Sequence, residues 1–374
     1  MTAPTTGTRR VYLHVGAPKT GTTYLQDRLF SNVASLRKHG VLVPTAPWWS
    51  GRAELHFRAA LDLLDQDWGG PPGHADGAWE QLVSQVKRHQ GTVVVSHELL
   101  APAPPEVVAR VLRELGPGEV HIVYTARDPA RLLPSAWQEA VKQGRGMRFA
   151  KFLKRARAGK VWFMQAFDLP SVLGSWGASL PPERLHVVTV PRSGSDPELL
   201  WRRFCQALQV DPGWGPAKPR RRNESMGIPE TQLLRLLNRR LRKALPDRDY
   251  RHRHVVKNVI AQQALATRRS DPVRLPPKAH GWVTEMAERW VEWARTSGVD
   301  VVGDLDDLLP AVPDPDHGWV DPDRIRSRAF RDAALDALVA AVREAAEGQR
   351  HPLRRRAQKV ARRVPGLSSR RRAG

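Results

Sequence analysis

Cysteine is almost absent from this chain: Cys205 is the single one among 374 residues. One thiol excludes an intrachain disulfide and a cysteine-based zinc site, and we expect Cys205 to be a small buried residue. Long apolar runs are also missing, since none approaches the roughly 20 residues of a membrane-spanning helix. Residues 1–10 lack the apolar stretch of a signal peptide. We therefore expect a cytoplasmic protein.

Acidic residues are scarce relative to basic ones: 38 Asp and Glu against 60 Lys and Arg leave a net charge of +22. This balance suits an anionic partner but does not identify it. Residues 350–374 carry ten Lys or Arg and no acid. We expect this tail to be solvated and flexible, with at most a weak contact to an anionic membrane surface. A nucleic-acid-binding protein has only the net charge in its favour, because zinc-finger, RNP and basic-zipper patterns are missing, so we expect no specific nucleic-acid partner.

A glycine-containing loop follows the first apolar run of the chain. Residues 11–13 are apolar, residues 14–23 read HVGAPKTGTT, and a helical pattern begins near Thr22. Gly16 and Gly21 allow the backbone to curl so that successive N–H groups point inward, and the helix adds the positive end of its dipole. This arrangement of strand, loop and helix predicts an anion site.

The loop differs from the Walker pattern G-x-x-x-x-G-K-[ST], because Lys19 lies two residues before Gly21 and Thr22 takes the usual lysine position. Residues 18–23 resemble instead the 5′-phosphosulfate loop of the sulfotransferases that use 3′-phosphoadenosine 5′-phosphosulfate (PAPS). A second segment agrees in order and spacing. An apolar run ends in Arg127-Asp128-Pro129 and leads into a helix that carries Ser135, which is similar to the 3′-phosphate segment of that family.

The resemblance implies PAPS as donor, 3′,5′-ADP as product and no metal. It implies that Lys19 meets the bridging oxygen and departing phosphate, and that Arg127 and Ser135 hold the 3′-phosphate. Tyr24 takes the position of an aromatic ring against the adenine, with a core-facing helix residue as the alternative. Arg222, Asn223 and Ser225 belong to a polar cluster where this family often returns to the cofactor, with a plain surface loop as the alternative. The expected cofactor-binding residues are Pro18, Lys19, Thr20, Gly21, Thr22, Thr23, Tyr24, Arg127, Ser135, Arg222, Asn223 and Ser225.

Two proton acceptors follow another apolar run, TVVVS at residues 92–96. By resemblance, His97 matches the base of cytosolic sulfotransferases, whereas Glu98 matches the carboxylate base of carbohydrate and protein-tyrosine sulfotransferases. We expect His97 and Glu98 to act jointly with Lys19 in catalysis, and His56 and Glu54 are the reserve candidates for the base. The Arg-Lys-Gly-x-x-Gly segment of the cytosolic type is missing from the C-terminal third, so adenosine recognition there is open.

Short apolar runs alternate with helical patterns over the first two hundred residues. This alternation predicts an α/β fold, a P-loop-like parallel sheet with helices on both faces, in which ligands bind at the carboxyl ends of the strands. Gly16, Ser96 and Arg127 are expected there. The predicted strands are 11–15, 41–44, 92–96, 120–125 and 185–190, and the predicted helices are 22–38, 53–66, 78–90, 104–115, 130–143 and 197–209, the last with a capping box at 195–198.

After Pro212 the pattern is helical without strands, with helices predicted at 229–245, 254–266 and 280–297. We expect a sulfotransferase α/β domain at 1–310, whose helical segment 226–298 covers or completes it. A connector and a helix at 311–349 and the tail 350–374 follow.

We expect the acceptor to present a hydroxyl or an amine, on an unidentified molecule such as a carbohydrate, a glycolipid or a small metabolite. Several tryptophans would suit a ring-shaped acceptor, although a core position is commoner for this residue. The alternative function is a magnesium-dependent P-loop kinase or NTPase. It requires an Asp at the end of a strand, whereas the best strand ends in Ser96-His97-Glu98.

Overall fold

The computed structural model describes residues 9–47, 54–116, 118–219, 226–244, 255–268, 270–312, 318–324 and 327–350. Several residues that the sequence analysis uses lie outside these ranges: Arg222, Asn223 and Ser225 of the polar cluster, two of the tryptophans considered for a ring-shaped acceptor (Trp48 and Trp49), and residues 351–374 of the basic tail. The expectations attached to them therefore remain predictions.

Six parallel strands form one sheet in the order β2-β3-β1-β4-β5-β6. The strands are β1 (Arg10–Gly16), β2 (Val41–Leu42), β3 (Thr92–Ser96), β4 (Glu119–Ala126), β5 (Leu185–Thr189) and β6 (Asp300–Val302). The α-helices are α1 (Thr22–Ser31), α2 (Val33–Lys38), α3 (Glu54–Leu63), α4 (Ala78–Lys87), α5 (Pro105–Leu115), α6 (Pro129–Lys142), α7 (Phe149–Arg157), α8 (Trp162–Phe167), α9 (Leu169–Trp176), α10 (Leu199–Ala207), α11 (Ile228–Ala244), α12 (His280–Thr296) and α13 (Ser327–Arg350), and a π-helical segment spans Val255–Leu265.

Helices cover both faces of the sheet, as the continuous apolar strands predict. On one face, Val94 and Val123 pack in a buried cluster with side chains of α1, α2 and α10, and this cluster includes Cys205. On the other face, the Tyr124 hydroxyl donates hydrogen bonds to the carbonyl oxygens of Ala166 at 2.9 Å and Phe167 at 3.0 Å. The prediction of an α/β fold with a parallel sheet is therefore confirmed.

The five predicted strands are present with small changes at their ends, but the prediction that no strand follows Pro212 was wrong. β6 has only three residues and begins with the exposed Asp300, which pairs in parallel with His186 of β5. Such a short, half-polar run gives almost no signal in a sequence. Residues 149–176 also form α7, α8 and α9 without having been predicted, although α7 buries Phe149, Phe152, Leu153 and Ala156 at helical spacing.

Two helix predictions need correction. The predicted helix 22–38 is two helices that meet at Asn32, whose side-chain amide donates to the carbonyl of Ala217 at 2.9 Å and whose side-chain oxygen accepts from the amide of the same residue. The predicted capping box at 195–198 was wrong as well. α10 begins at Leu199, and Asp196 accepts from the Glu198 amide instead.

The described residues fall into two compact units. The first comprises those within Met1–Ala140, Met147–Ser225 and Val273–Asp323, and it contains the sheet. The second comprises those within Val141–Gly146, Met226–Pro272 and Arg324–Gly374, so α11 and α13 share a unit, whereas the sequence suggested a boundary near residue 310. In none of the described ranges does a helix combine the length and apolar character needed to cross a membrane.

Candidate functional site

Three strand ends meet in the middle of the sheet, on its carboxyl edge. β1 ends at Gly16, and its neighbours β3 and β4 end at Ser96 and Ala126, with Arg127 following directly. β2 and β3 lie on one side of β1, and the chain then crosses to β4 on the other side, so the strand order reverses at β1. Doubly wound sheets bind ligands at such a switch point. The structure thus brings Gly16, Ser96 and Arg127 to one edge, as the sequence predicts.

The loop between β1 and α1 has two residues in left-handed backbone conformations. Lys19 has a φ of 67° and Gly21 a φ of 89°. Gly21 is tightly enclosed as well, because an added Cβ would lie 2.6 Å from a methyl carbon of Leu200. α1 starts directly after it at Thr22, so the free N–H groups of the first turn lie next to the loop. A left-handed turn followed by the first turn of a helix is the backbone arrangement that an anion-binding loop requires.

The Lys19 ammonium reaches α6, the helix that carries Ser135. Its Nζ lies 3.2 Å from Oε2 of Glu139, and both side chains are mostly buried. Glu139 follows Ser135 by four residues, so the two share one face of α6. The ion pair therefore holds Lys19 against the helix that also carries Ser135. Sequence analysis missed Glu139, although an acid one turn beyond a predicted phosphate-binding serine was a usable signal.

Arg127 lies against the loop. Its Nη1 donates to the carbonyl oxygen of Lys19 at 3.2 Å, and its buried Nε has no hydrogen-bond partner among the described residues. Burial and the neighbouring Arg131 lower the pKa of Arg127 to about 10, so the guanidinium stays charged at neutral pH. The carboxylate of the adjacent Asp128 pairs with Arg131 instead.

Glu98 lies beside the start of the loop. A Cβ added at Gly16 would lie 3.4 Å from the Glu98 Cβ, and Gln26 of α1 donates its side-chain amide to Glu98 Oε2 at 3.0 Å. Burial tends to raise the pKa of Glu98, but the adjacent His97 ring, which takes up a proton as the pH falls, and the Gln26 hydrogen bond hold this pKa below its usual value. Glu98 is therefore a carboxylate at neutral pH, with Gln26 setting its orientation.

His97 has a different role in the structure. Its Nδ1 accepts a hydrogen bond from the Leu99 amide at 3.2 Å and caps the short turn Glu98–Leu100. Burial lowers the pKa of His97, so the ring is neutral and its proton is on Nε2. Neither nitrogen then offers a free lone pair for an incoming proton.

Neither reserve candidate is placed to act as the base. His56 is buried, and its Nδ1 accepts from the Ser96 amide at 3.1 Å while burial lowers its pKa to about 4. It supports the end of β3 instead of offering a base. Glu54 is exposed at the start of α3.

A buried chain of polar groups connects the strand ends beneath the loop. His14 of β1 has its Nδ1 2.7 Å from the Ser96 hydroxyl and its Nε2 3.2 Å from the Thr125 hydroxyl. Thr125 donates to the carbonyl of Gly16 at 2.9 Å, and its oxygen also contacts the Thr20 hydroxyl. Sequence analysis missed His14 because a histidine within an apolar strand gives no clue to its partners.

Tyr24 packs half-buried against the core cluster. Its hydroxyl accepts from Arg28 at 3.2 Å and donates to the carbonyl of Pro197 at 3.3 Å. Arg28 is itself buried, 2.5 Å from a carboxylate oxygen of Glu198 and 4.6 Å from the ring centre of Trp201. These contacts hold the Tyr24 ring against the core, which agrees with the alternative that Tyr24 is a core-facing helix residue.

Aromatic rings border the candidate base. The Phe57 ring lies 5.4 Å from the His97 ring and 5.3 Å from the Trp68 ring, measured between centroids. Trp68 is 39% exposed, whereas Trp79, Trp137 and Trp176 are fully buried, as the commoner core role predicts. Trp68 and Phe57 thus form an aromatic surface that is open to solvent and leads to His97 and Glu98.

In the described ranges of the chain, no three His, Cys, Asp or Glu side chains are grouped to hold a metal ion.

Comparison with known proteins adds no assignment: the sequence matches no protein-family model and no curated protein.

Proposed function

We propose that this protein is a PAPS-dependent sulfotransferase that moves a sulfuryl group to a hydroxyl or amine of an acceptor. The observation that carries the proposal is the placement of Arg127. It holds a charged guanidinium against the loop between β1 and α1, with a buried Nε–H that lacks a partner among the described residues. A second anionic group, next to the 5′-phosphosulfate that we place at the loop, would accept that hydrogen bond. The 3′-phosphate is such a group, and PAPS has it whereas ATP lacks it.

The residues present fit this cofactor at both ends. The loop, the first turn of α1 and the Lys19 ammonium provide donors and positive charge for the 5′-phosphosulfate. Arg127 and Ser135 provide a guanidinium and a hydroxyl for the 3′-phosphate. Glu139 ties the Lys19 side chain to α6, the helix that carries Ser135. Adenine recognition has no comparable support, since Tyr24 is engaged with Arg28 and Pro197.

PAPS, when bound, supplies a sulfuryl group whose transfer leaves negative charge on the 5′-phosphate. Lys19 stabilises this charge because its ammonium is held at the loop in a largely dry site. Glu98 takes the acceptor's proton on the oxygen that does not accept from Gln26. We assign His97 to positioning, since its Nδ1 caps the turn that carries Glu98.

The acceptor approaches over the aromatic surface of Trp68 and Phe57. This surface ends at His97 and Glu98, so a ring packed on Trp68 would place its polar substituents near the carboxylate. Sugars and aryl compounds both pack on aromatic faces. We place the reaction in the cytoplasm, in keeping with a chain that has one cysteine.

Isothermal titration calorimetry with four ligands at matched salt tests the proposal. We expect 3′,5′-ADP to bind without metal, 5′-AMP to bind weakly, and neither ATP with Mg²⁺ nor a DNA duplex to compete with 3′,5′-ADP. Metal-dependent ATP binding with equal affinity for the two adenosine phosphates would favour the kinase or NTPase alternative. Preferential duplex binding that displaces 3′,5′-ADP would favour a nucleic-acid-binding protein.

A further inference from the structure

A row of large apolar side chains is exposed on helix α13 of the second unit. Leu335, Leu338, Val339 and Val342 are 61%, 59%, 49% and 59% exposed. Their spacing of three, four and seven residues places them on one face of the helix. We call these four residues the apolar stripe. Scattered exposed apolar residues are normal, but four contiguous ones on one helix face indicate an interaction surface.

The second unit uses a different face of α13 for its own packing. Ala333 and Ala337 are the buried residues of this helix. Asp336 pairs with Arg268, which also binds the buried Glu230 at 2.9 Å. Because these contacts hold the helix in its unit, the apolar stripe contributes little to folding. It is available for a partner.

The sequence from the last residue of α13 onward is strongly basic. Residues 350–374 hold ten Lys or Arg and no Asp or Glu. An apolar helix face followed by a polybasic segment is the combination that binds peripheral proteins to anionic membranes, since either signal alone is weak. We propose that the apolar stripe and the basic tail together dock this protein on an anionic phospholipid surface.

A second copy of the chain fits this surface less well. A stable dimer buries roughly 800 Å² on each partner, which is more than four aliphatic side chains on one helix supply. Two chains that each carry a net charge of +22 also repel one another. An anionic bilayer, by contrast, takes the aliphatic side chains into its apolar region, and its negative headgroups neutralise the positive charge of the tail. The charge complementarity therefore favours the lipid surface.

Co-sedimentation of the full chain with phosphatidylcholine vesicles, with and without phosphatidylserine, tests the proposal. We expect binding only to the vesicles that contain phosphatidylserine, and weaker binding at high salt because counterions screen the tail. The triple variant Leu335→Ser, Leu338→Ser, Val342→Ser should lower the partition coefficient about tenfold or more, given the apolar area withdrawn from the bilayer. The variant Arg354→Gln, Arg355→Gln, Arg356→Gln should lower it by a similar factor.

The matched control is Val312→Ser, which removes an aliphatic side chain that is 90% exposed in the first unit. It should bind vesicles as the wild type does, and circular dichroism should show that every variant is folded. Equal binding to both kinds of vesicle, or a stripe variant that binds like the wild type, would overturn the proposal. A lipid-free dimer that the stripe variant dissociates, without any vesicle binding, would assign the stripe to a second copy and overturn it as well.

Discussion

The Nδ1 atom of His14 lies 2.7 Å from the hydroxyl oxygen of Ser96, at a point where both residues are buried. Gln26 donates a hydrogen bond to the same hydroxyl, so the Ser96 hydroxyl can in turn donate its hydrogen bond to His14 Nδ1. Burial lowers the pKa of His14 to about 4, which makes the ring neutral with its proton on Nε2. That proton faces Thr125, which donates to Gly16. One neutral imidazole thus joins the end of β3 to the loop between β1 and α1.

His14→Gln and His14→Asn separate the two ends of this imidazole. A glutamine amide can reach the position of Nε2 and donate to Thr125, whereas an asparagine amide reaches only the position of Nδ1. We expect His14→Gln to keep most of the affinity for 3′,5′-ADP and His14→Asn to lose roughly tenfold, within the range for a lost buried hydrogen bond. Calorimetry on both folded variants measures the difference. Equal affinities would show that the Thr125 contact does not position the loop.

Arg127→Ala should weaken 3′,5′-ADP binding by about 2–4 kcal/mol, the range for removing one partner of a desolvated charge pair. 5′-AMP should bind the variant nearly as it binds the wild type, because it lacks the group that Arg127 is expected to meet. Calorimetry with both nucleotides provides the comparison. Arg131→Ala is the control, since Arg131 pairs with Asp128. A similar loss for both nucleotides would mean that Arg127 supports the loop through its contact with the Lys19 carbonyl alone.

The ion pair of Lys19 and Glu139 predicts opposite effects for its two members. Lys19→Ala should lower kcat about 100-fold or more with a smaller effect on nucleotide affinity, because the ammonium matters most when charge builds up on the departing phosphate. Glu139→Gln should tighten 3′,5′-ADP binding severalfold, since it removes a carboxylate that lies 3.2 Å from that ammonium. Glu292→Gln, at an exposed ion pair with Arg295, is the control. Weaker nucleotide binding by Glu139→Gln would mean that the carboxylate orients Lys19 for the ligand.

Hydrogen bonding at the end of β3 predicts that Glu98 is the base and His97 is not. Glu98→Gln should abolish transfer while leaving 3′,5′-ADP binding intact. His97→Asn should keep much of the activity, because asparagine can also cap the turn that begins at Glu98. A base must be deprotonated to act. With the pKa of Glu98 held below its usual value, kcat/KM should stay level as the pH falls from about 7 to about 5. An acid limb just below the reference imidazole pKa of about 6.5, lost in His97→Asn, would identify the histidine instead.

The sequence predicted those parts of the site that depend on the local chain. Gly16 and Gly21 indicate the loop because glycine adopts a positive φ without strain, and the valines before Ser96 indicate a buried strand. The contact of Gln26 with Glu98 could not be assigned from the sequence, because it joins two elements whose packing no local pattern encodes. Glu139, one turn beyond Ser135, was a usable signal, but no local pattern shows that its partner is Lys19. For the same reason the choice between His97 and Glu98 stayed open. It depends on one backbone hydrogen bond to Nδ1.

Two tryptophans in equivalent surroundings test the acceptor surface. Trp68 and Trp162 are each 39% exposed, and each packs edge-on at 5.3 Å against a phenylalanine, Phe57 and Phe163 respectively. Of these two phenylalanines, Phe57 contacts the ring of His97. Trp68→Ala should therefore raise KM for the acceptor about threefold to tenfold, a range set by the loss of one aromatic contact. Trp162→Ala should leave KM unchanged, and both variants should bind 3′,5′-ADP normally. The assay is transfer from labelled PAPS to a panel of 4-nitrophenyl glycosides and simple phenols. Equal effects of the two substitutions on KM would place the acceptor away from Trp68.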